Sequence, residues 1–530
     1  MSILDMTALF ELFLGSLNSP EISIKVFSSS SKTACSKKIN RILSISASVN
    51  KVSIKTNCNS SSVVTPENST APASTGSSLR RMTRRQTLTL ISSASVNLSS
   101  MMCYSILGPF FPTEAVKKGA SQTDVGLIFG CYAICNLINS LIMGRYIVQI
   151  GAKRMLIVGL FVSSICTIAF GFLDRVPSGP PFIALCLIVR SIDAFGFAAA
   201  MTSSFAVTAK IFPDNVATVY GFLEIFTGLG LILGPPVGGW LYQSFGYEVP
   251  FMLLGFFLLI MVPFNIYVLP TIDANPSKDS FLKLLTNVKI VLICFVIFTM
   301  SAGLGFLDTT LALYAIDKFA LSPGYVGLIA LGLSLSYCIA SPLFGYFTDK
   351  YPVSVKTVSM SVLFLYGLFS CVCLNKVIRG WLMVTGGVTT AAGFWLLGPV
   401  PFLHIPSQLW LLVLMLSVIG FSLGMSSIPT FPEIIACAYK QGFQEGLSTL
   451  GMVSGLFSAV WCLGMFYGPI VGGFITQNLN FEWAAAVQGG LTFLAALLLA
   501  VCCFFQRLRQ SSPDNESGQG CEHYPLLTSE

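Results

Sequence analysis

Apolar runs of about 20 residues recur along most of the chain, each bounded by a short polar or charged break. A helix of that length rises about 30 Å, the thickness of a bilayer core. The runs lie near 88–112, 124–143, 155–173, 182–209, 216–242, 249–269, 288–313, 325–347, 380–400, 409–431, 447–475 and 483–505. They predict an all-α membrane protein with twelve spans. Polar stretches flank the array: a Ser/Thr/Asn/Lys-rich tail over 1–86 and a second tail over 507–530. A charged linker over 271–287 separates a six-span half at 87–270 from another at 288–506. Both tails are expected to be disordered and cytoplasmic.

A repeat runs through the two halves. Gly230-Leu231-Ile232-Leu233-Gly234-Pro235-Pro236-Val237-Gly238-Gly239 recurs as Gly464-Met465-Phe466-Tyr467-Gly468-Pro469-Ile470-Val471-Gly472-Gly473, 234 residues later. Gly221 pairs with Gly455 and Glu248 with Glu482 at the same offset. Small residues four apart bare one helix face, so another backbone can come close. Pro235 removes an amide and is expected to bend its helix. One copy is open to the plain reading of a tight helix contact. Two copies in two apolar halves indicate duplication, as in secondary transporters whose site lies between the repeats.

A further apolar run, Val358 to Leu374, would make thirteen spans. Early in the halves the offset is 201, as in Val125-Gly126-Leu127-Ile128 with Val326-Gly327-Leu328-Ile329, and Gly144 with Gly345. The second half therefore gained 33 residues (234 − 201) before the glycine-proline motif. Residues 354–379 read as an insertion, either a re-entrant or interfacial segment or an error in the gene model.

Charge sets the orientation. Arg80, Arg81, Arg84 and Arg85 precede the first span, and such clusters stay cytoplasmic. Lys153, Arg154, Lys210, Lys278, Lys283, Lys350, Lys440, Arg507 and Arg509 fall on the same side of a twelve-span count. Lys117, Lys118, Arg175 and Lys318 oppose it. The N-terminal sequons at Asn59 and Asn68 are then cytosolic and unused. With 54% hydrophobic and only 10% charged residues, the chain is no soluble globule. Its formal charge of +7 suits lipid headgroups rather than nucleic acid. The 16 Cys and two His show no metal-ligand spacing, so no metal or cofactor is expected. Adjacent Cys502 and Cys503 suit palmitoylation. No nucleophile–base pair points to an enzyme. In the last tail, Glu522 stands four residues before Leu526 and Leu527. That is the spelling of an acidic dileucine signal read by sorting adaptors at endosomal, lysosomal or secretory-vesicle membranes, though short patterns also arise by chance.

These features resemble the major facilitator superfamily, with two six-helix halves around a central cavity. Gly144, Gly151, Lys153 and Arg154 are similar to its gating-loop motif. The acid expected there is Val148, whereas the second half keeps Asp349. Arg190 matches the family's buried span-4 arginine, with Asp193 where Gln is usual. Gly230, Gly234, Pro235, Gly238 and Gly239 resemble the motif of proton-coupled antiporters. Ala94 to Pro112, Gly303 to Leu313 and Phe402 to Gly473 resemble the vesicular amine transporter family, specifically its polyamine branch. The family's acids in spans 1 and 11 are replaced by Ser100 and Ser458, which argues against a classical neurotransmitter substrate. Its span-7 acid is kept as Asp308.

A carboxylate inside a span costs at least ~2.5 kcal/mol, so it needs a partner, a cavity or a function. Asp193 and Arg190, three residues apart, share a helix face. They form either a stabilising ion pair or a proton-sensitive switch. Glu224, the repeat-mate of Ser458, is a substrate or proton carboxylate or a buried structural acid. Asp308 is a substrate ligand or a helix-end residue. Glu433, at the inner end of span 10, binds substrate or protons or faces the cytosol. Tyr104, Tyr220, Tyr337 and Trp461 either offer aromatic faces to a cation or pack. Spaced carboxylates suit a linear polycation that loses its water shell on entry. Each can hold a proton or an ammonium in turn. The expectation is a vesicular antiporter exchanging lumenal protons for cytosolic spermine and spermidine. Its two halves would rock with the Gly-rich spans 5 and 11 sliding at their contact. A broader organic-cation or drug/proton antiporter is the near alternative, and a transport-dead receptor or scaffold the distant one.

Overall fold

The computed structural model describes residues 82–108, 110–272, 280–321, 323–350, 378–399 and 406–510. Most of the expected tails (1–81 and 511–530), most of the insertion at 354–379 and the signal at Glu522, Leu526 and Leu527 lie outside them, while the helices of spans 1 and 12 run into the expected tails at Arg84–Gln86 and to Gln510.

Spans 1 to 6 are Arg84–Ser105, Gln122–Ile150, Ala152–Gly171, Pro180–Ile211, Val216–Phe245 and Glu248–Val268. Spans 7 to 9 are Val288–Phe319, Pro323–Lys350 and Ile378–Leu397. Span 10, Leu409–Ser427, breaks at Pro429 and resumes as the short helix Thr430–Lys440. Spans 11 and 12 are Leu447–Asn478 and Phe481–Gln510. Among the described residues, eleven segments are long and apolar enough to cross a membrane on composition. Span 1 is not among them, because it is rich in Ser, Thr and Asn. Its polar side is nonetheless buried: Thr89, Ser92, Ser93, Asn97, Ser99 and Ser100 all face protein. Ser92 donates to Asn265 of span 6, and Ser93 lies 3.0 Å from Thr208 of span 4.

Local signals start the helices. Thr83 and Gln86 form a capping box on span 1, and Ser121 and Asp124 one on span 2. Gly151, with φ +88°, makes the turn from span 2 to span 3 without a Cβ penalty.

The repeat appears as matching packing. Gly230 and Gly234 seat span 5 on Leu98, Met102 and Ser105 of span 1. Gly464 and Gly468 seat span 11 on Phe298, Ser301 and Ala302 of span 7. The glycine-proline faces therefore pack inside their own halves, while spans 5 and 11 also stand at the contact between the halves, against spans 8 and 2. Bare faces bind whichever backbone has a matching small-residue ridge, and here that is the neighbour in the same half. Gly239 meets nothing within 4 Å. Pro235 and Pro236 sit within an uninterrupted helix.

The halves meet through spans 2 and 11 and through spans 5 and 8. Gly144 lies against Gly451 and Gly455, where an added Cβ would come within 2.6 Å of the Gly451 carbonyl oxygen. Gly221 lies against Ser341, and Gly345 against Ala217. All these contacts lie toward the face that carries the span 2–3 turn, called here the Gly151 face. On the opposite face, every described ion pair stays within one half. Lys118 reaches Asp174 (3.3 Å) and Arg175 reaches Glu248 (2.7 Å). In the other half Lys318 reaches Glu482 (3.4 Å), so the repeat-mates Glu248 and Glu482 both anchor a basic side chain.

Glu114, in the helix Phe111–Lys117, joins this knot. Burial pushes its carboxyl up, but hydrogen bonds from Lys117 and Tyr242 outweigh that and hold it below the usual carboxylate range. The stabilisation is present at neutral pH and is lost only as pH falls through this lowered pKa. The knot therefore survives a mildly acidic compartment.

Candidate transport site

The Gly151 face is closed by an aromatic plug. Phe205 of span 4, Tyr220 of span 5, Phe431 of the short helix after span 10 and Phe457 of span 11 meet there. Their ring centroids are 5.5–6.0 Å apart. The first two rings come from one half and the last two from the other. Aromatic contacts of this kind contribute about 0.5–1.5 kcal/mol each beyond area burial. Trp461 stacks one turn beyond Phe457, with centroids 6.3 Å apart.

Glu224 sits one turn past Tyr220, at the inner side of the plug. It is 6% exposed, and the Tyr337 hydroxyl donates to its Oε2 at 3.0 Å across the midline. Tyr220 also hydrogen-bonds it. Among the described residues, no Lys or Arg pairs with Glu224. The acid, the plug and a cross-half hydrogen bond are thus one unit.

Asp308 occupies a different level. It is exposed, although most of span 7 around it is buried. It lies near Tyr104 in span 1, which in turn lies near Arg190 in span 4 and Cys462 in span 11. Asp308 is thus an exposed acid of span 7 near Tyr104 of span 1.

Arg190 and Asp193 pair at 3.0 Å inside the first half. Ser163 of span 3 donates to Asp193 at 2.6 Å, and the Arg190 guanidinium lies 4.0 Å over the Tyr132 ring. Tyr132 is 5.7 Å from Tyr104. The pair is therefore joined to Tyr104 through the Tyr132 ring. Among the described residues, Arg190 Nε and Nη2 have no protein partner. Those donors leave it under-satisfied for a buried cation.

Glu433 is placed elsewhere. It is 8% exposed and accepts from Lys289 Nζ at 2.6 Å, with Arg379 at 3.9 Å. Its described partners are two basic side chains, apart from the contacts of Glu224 and Asp308. A buried carboxylate is held where a buried cation meets it, and Lys289 supplies that cation. Sequence reasoning missed Lys289, because a lysine in the first turn of a span reads as a boundary residue. Tyr132, Ser163 and the plug phenylalanines were missed as well, since nothing local marks them.

Asp349 ties the end of span 8 to the start of span 5. Its carboxylate accepts from the Ala217 and Thr218 amides, at 3.2 and 2.6 Å, at the start of span 5. A carboxylate at a helix N-terminus is stabilising. The first half has Val148 at the matching place, so the latch is one-sided. Lys153 and Arg154 lie in the first turn of span 3. Asp349→Ala is expected to loosen the gate by about 0.3–2 kcal/mol. With Cys462 as the sole cysteine, labelling by an impermeant thiol reagent from the Gly151 side should rise roughly 2- to 30-fold. Unchanged labelling would show that Asp349 does not latch.

Two six-span bundles with a one-sided gate and intramembrane acids define a multi-pass secondary transporter. Residues 94–432 and 374–528 match the family model described as Major Facilitator Superfamily, and the chain belongs to that superfamily. It is 54% identical over 451 residues to the human protein named MFS-type transporter SLC18B1, covering 85% of this chain and 94% of that one. It is 24% identical over 442 residues to the human synaptic vesicular amine transporter, covering 82% and 74%. The crystal structure of the human organic anion transporter MFSD10 (TETRAN) aligns with TM-score 0.60 at 14% identity, covering 78% of this chain and 99% of that one. At that identity the likeness speaks for the fold alone.

Proposed function

We propose that the chain is a proton-coupled antiporter that loads linear polyamines, spermine and spermidine, from the cytosol into acidic vesicles. The reading rests on Glu224. It is a buried carboxylate with no described basic partner, hydrogen-bonded across the halves next to the plug. Such a group holds a proton or an ammonium but not both. Facing an acidic lumen it takes a proton and releases the amine. Facing the cytosol it loses the proton and takes a new cation. Tyr337 and Tyr220 link that exchange to the gate. Asp308 is the second substrate carboxylate, and Arg190 with Asp193 backs the aromatic wall and is freed when Asp193 is protonated. The six-span halves at 87–270 and 288–506 rock about the 271–287 linker, with both termini cytosolic. Similarity to a vesicular amine transporter supports an amine cargo and a vesicular membrane.

A wider amine range is the second reading. Tyr104, Tyr132 and Phe197 stand 5.7–6.5 Å apart, a wall on which an aromatic amine would stack.

The test is purified protein in liposomes with an inside-acid gradient and labelled spermidine. Uptake that collapses with a proton ionophore is expected. Folded protein with no gradient-driven uptake of spermidine, but with uptake of an aromatic amine, would replace the first reading by the second.

A further inference from the structure

We infer that Glu224 and Asp308 form the two ends of a cradle that selects linear polyamines by length. One terminal ammonium sits on each carboxylate. The inference rests on the polyamine reading above and adds a length requirement to it.

The carrying observation is the difference in depth between the two acids. Spans 1 and 5 run parallel, because Gly230 faces Leu98 and Met101 while Gly234 faces Met102 and Ser105. A position in span 5 is therefore level with one about 130 residues earlier in span 1. Glu224 lies level with residue 94. Tyr104, within reach of Asp308, is ten residues further along. At 1.5 Å per residue the separation is roughly 15 Å.

The second half gives its own figure. Gly472 faces Phe306 in span 7, so Asp308 lies level with about residue 473 of span 11. The repeat offset of 234 puts that level at about residue 239 of span 5. That is fifteen residues beyond Glu224, or roughly 22 Å.

An ammonium–carboxylate contact takes up about 3 Å at each end. Roughly 9–16 Å then remains between the terminal nitrogens. A fully extended chain covers about 1.2 Å per bond, so the cradle spans roughly 8–13 bonds. A triamine or tetraamine of the spermidine–spermine kind fits. A four-carbon diamine, with five bonds, reaches one acid only. Inner ammoniums pass the faces of Tyr104 and Trp461, which attract cations without fixing their position.

The test uses the full chain in proteoliposomes with an inside-acid gradient. Straight α,ω-diamines of about four to fourteen methylenes compete with labelled spermine. Amino alcohols of the same lengths control for apolar surface. Diamine potency is expected to step up about tenfold over the matched amino alcohols once roughly eight bonds separate the nitrogens, as a second charged contact of about 1.5 kcal/mol implies. In Asp308→Asn the step should vanish. Parallel diamine and amino-alcohol profiles in the unmodified chain, with gradient-driven spermine uptake intact, would overturn the cradle and leave the antiport reading standing. No gradient-driven uptake at all would remove that reading and the cradle with it. The unmodified profile decides the matter even if the variant fails to fold.

Discussion

Glu224→Gln is expected to lower gradient-driven amine uptake at least tenfold, to the level of protein-free liposomes. Glutamine keeps the shape and still accepts from Tyr337, so folding should survive. It loses the charge that meets an ammonium, a contact of about 1.5–3 kcal/mol, or roughly 10- to 100-fold in binding. It also cannot release a proton, so no gradient can be coupled through it. Tyr337→Phe separates the two roles. That variant leaves the carboxylate but removes the 3.0 Å cross-half bond. Uptake should fall by less than tenfold, while labelling of a sole Cys462 from the Gly151 side rises. Gradient-driven uptake above half of the unmodified level in Glu224→Gln would remove this carboxylate from the mechanism.

The second large effect concerns stability. Lys289→Met is expected to destabilise the protein by about 3–5 kcal/mol, because it strips a buried carboxylate of its cation. Arg379, 3.9 Å from the other oxygen, offsets only part of this. The double variant Lys289→Met with Glu433→Leu should recover most of the loss, since well-packed apolar side chains replace a buried ion pair at little cost. Thermal unfolding in detergent reads both. The consequence extends to the gate. Glu433 lies two residues after Phe431 on the short helix that follows the break at Pro429, and Phe431 is one side of the plug. The ion pair therefore holds the plug-bearing helix against span 7. Equal loss in the single and double variants would mean that packing, not charge, anchors it.

The helices were legible because a membrane imposes few choices. Each backbone amide in lipid must be satisfied within its own segment, so long apolar runs become helices. Each of the twelve runs accordingly falls on a long helix among the described residues, and the main departures are extended ends and the broken tenth span. Span 1 shows the limit. Its serines look out of place in a membrane until Ser92 is seen to meet Asn265 of span 6 and Ser93 to meet Thr208 of span 4. Arg190 and Asp193 were legible as a pair because three-residue spacing is a local property of a helix. Glu224 and Tyr337, 113 residues apart, were each visible as candidates, but their bond was not.

By itself the sequence determined the class of molecule, the duplication and the long helices seen among the described residues. Those follow from composition, period and spacing, which are properties of short segments. Tertiary structure decided which acids meet which partners. It tied Glu433 to Lys289, 144 residues away, and left Glu224 beside the plug without a described cation. It also decided that the bare glycine faces are filled by spans 1 and 7. A pattern tells which side of a helix is free to pack, but the partner on that side comes from elsewhere in the chain.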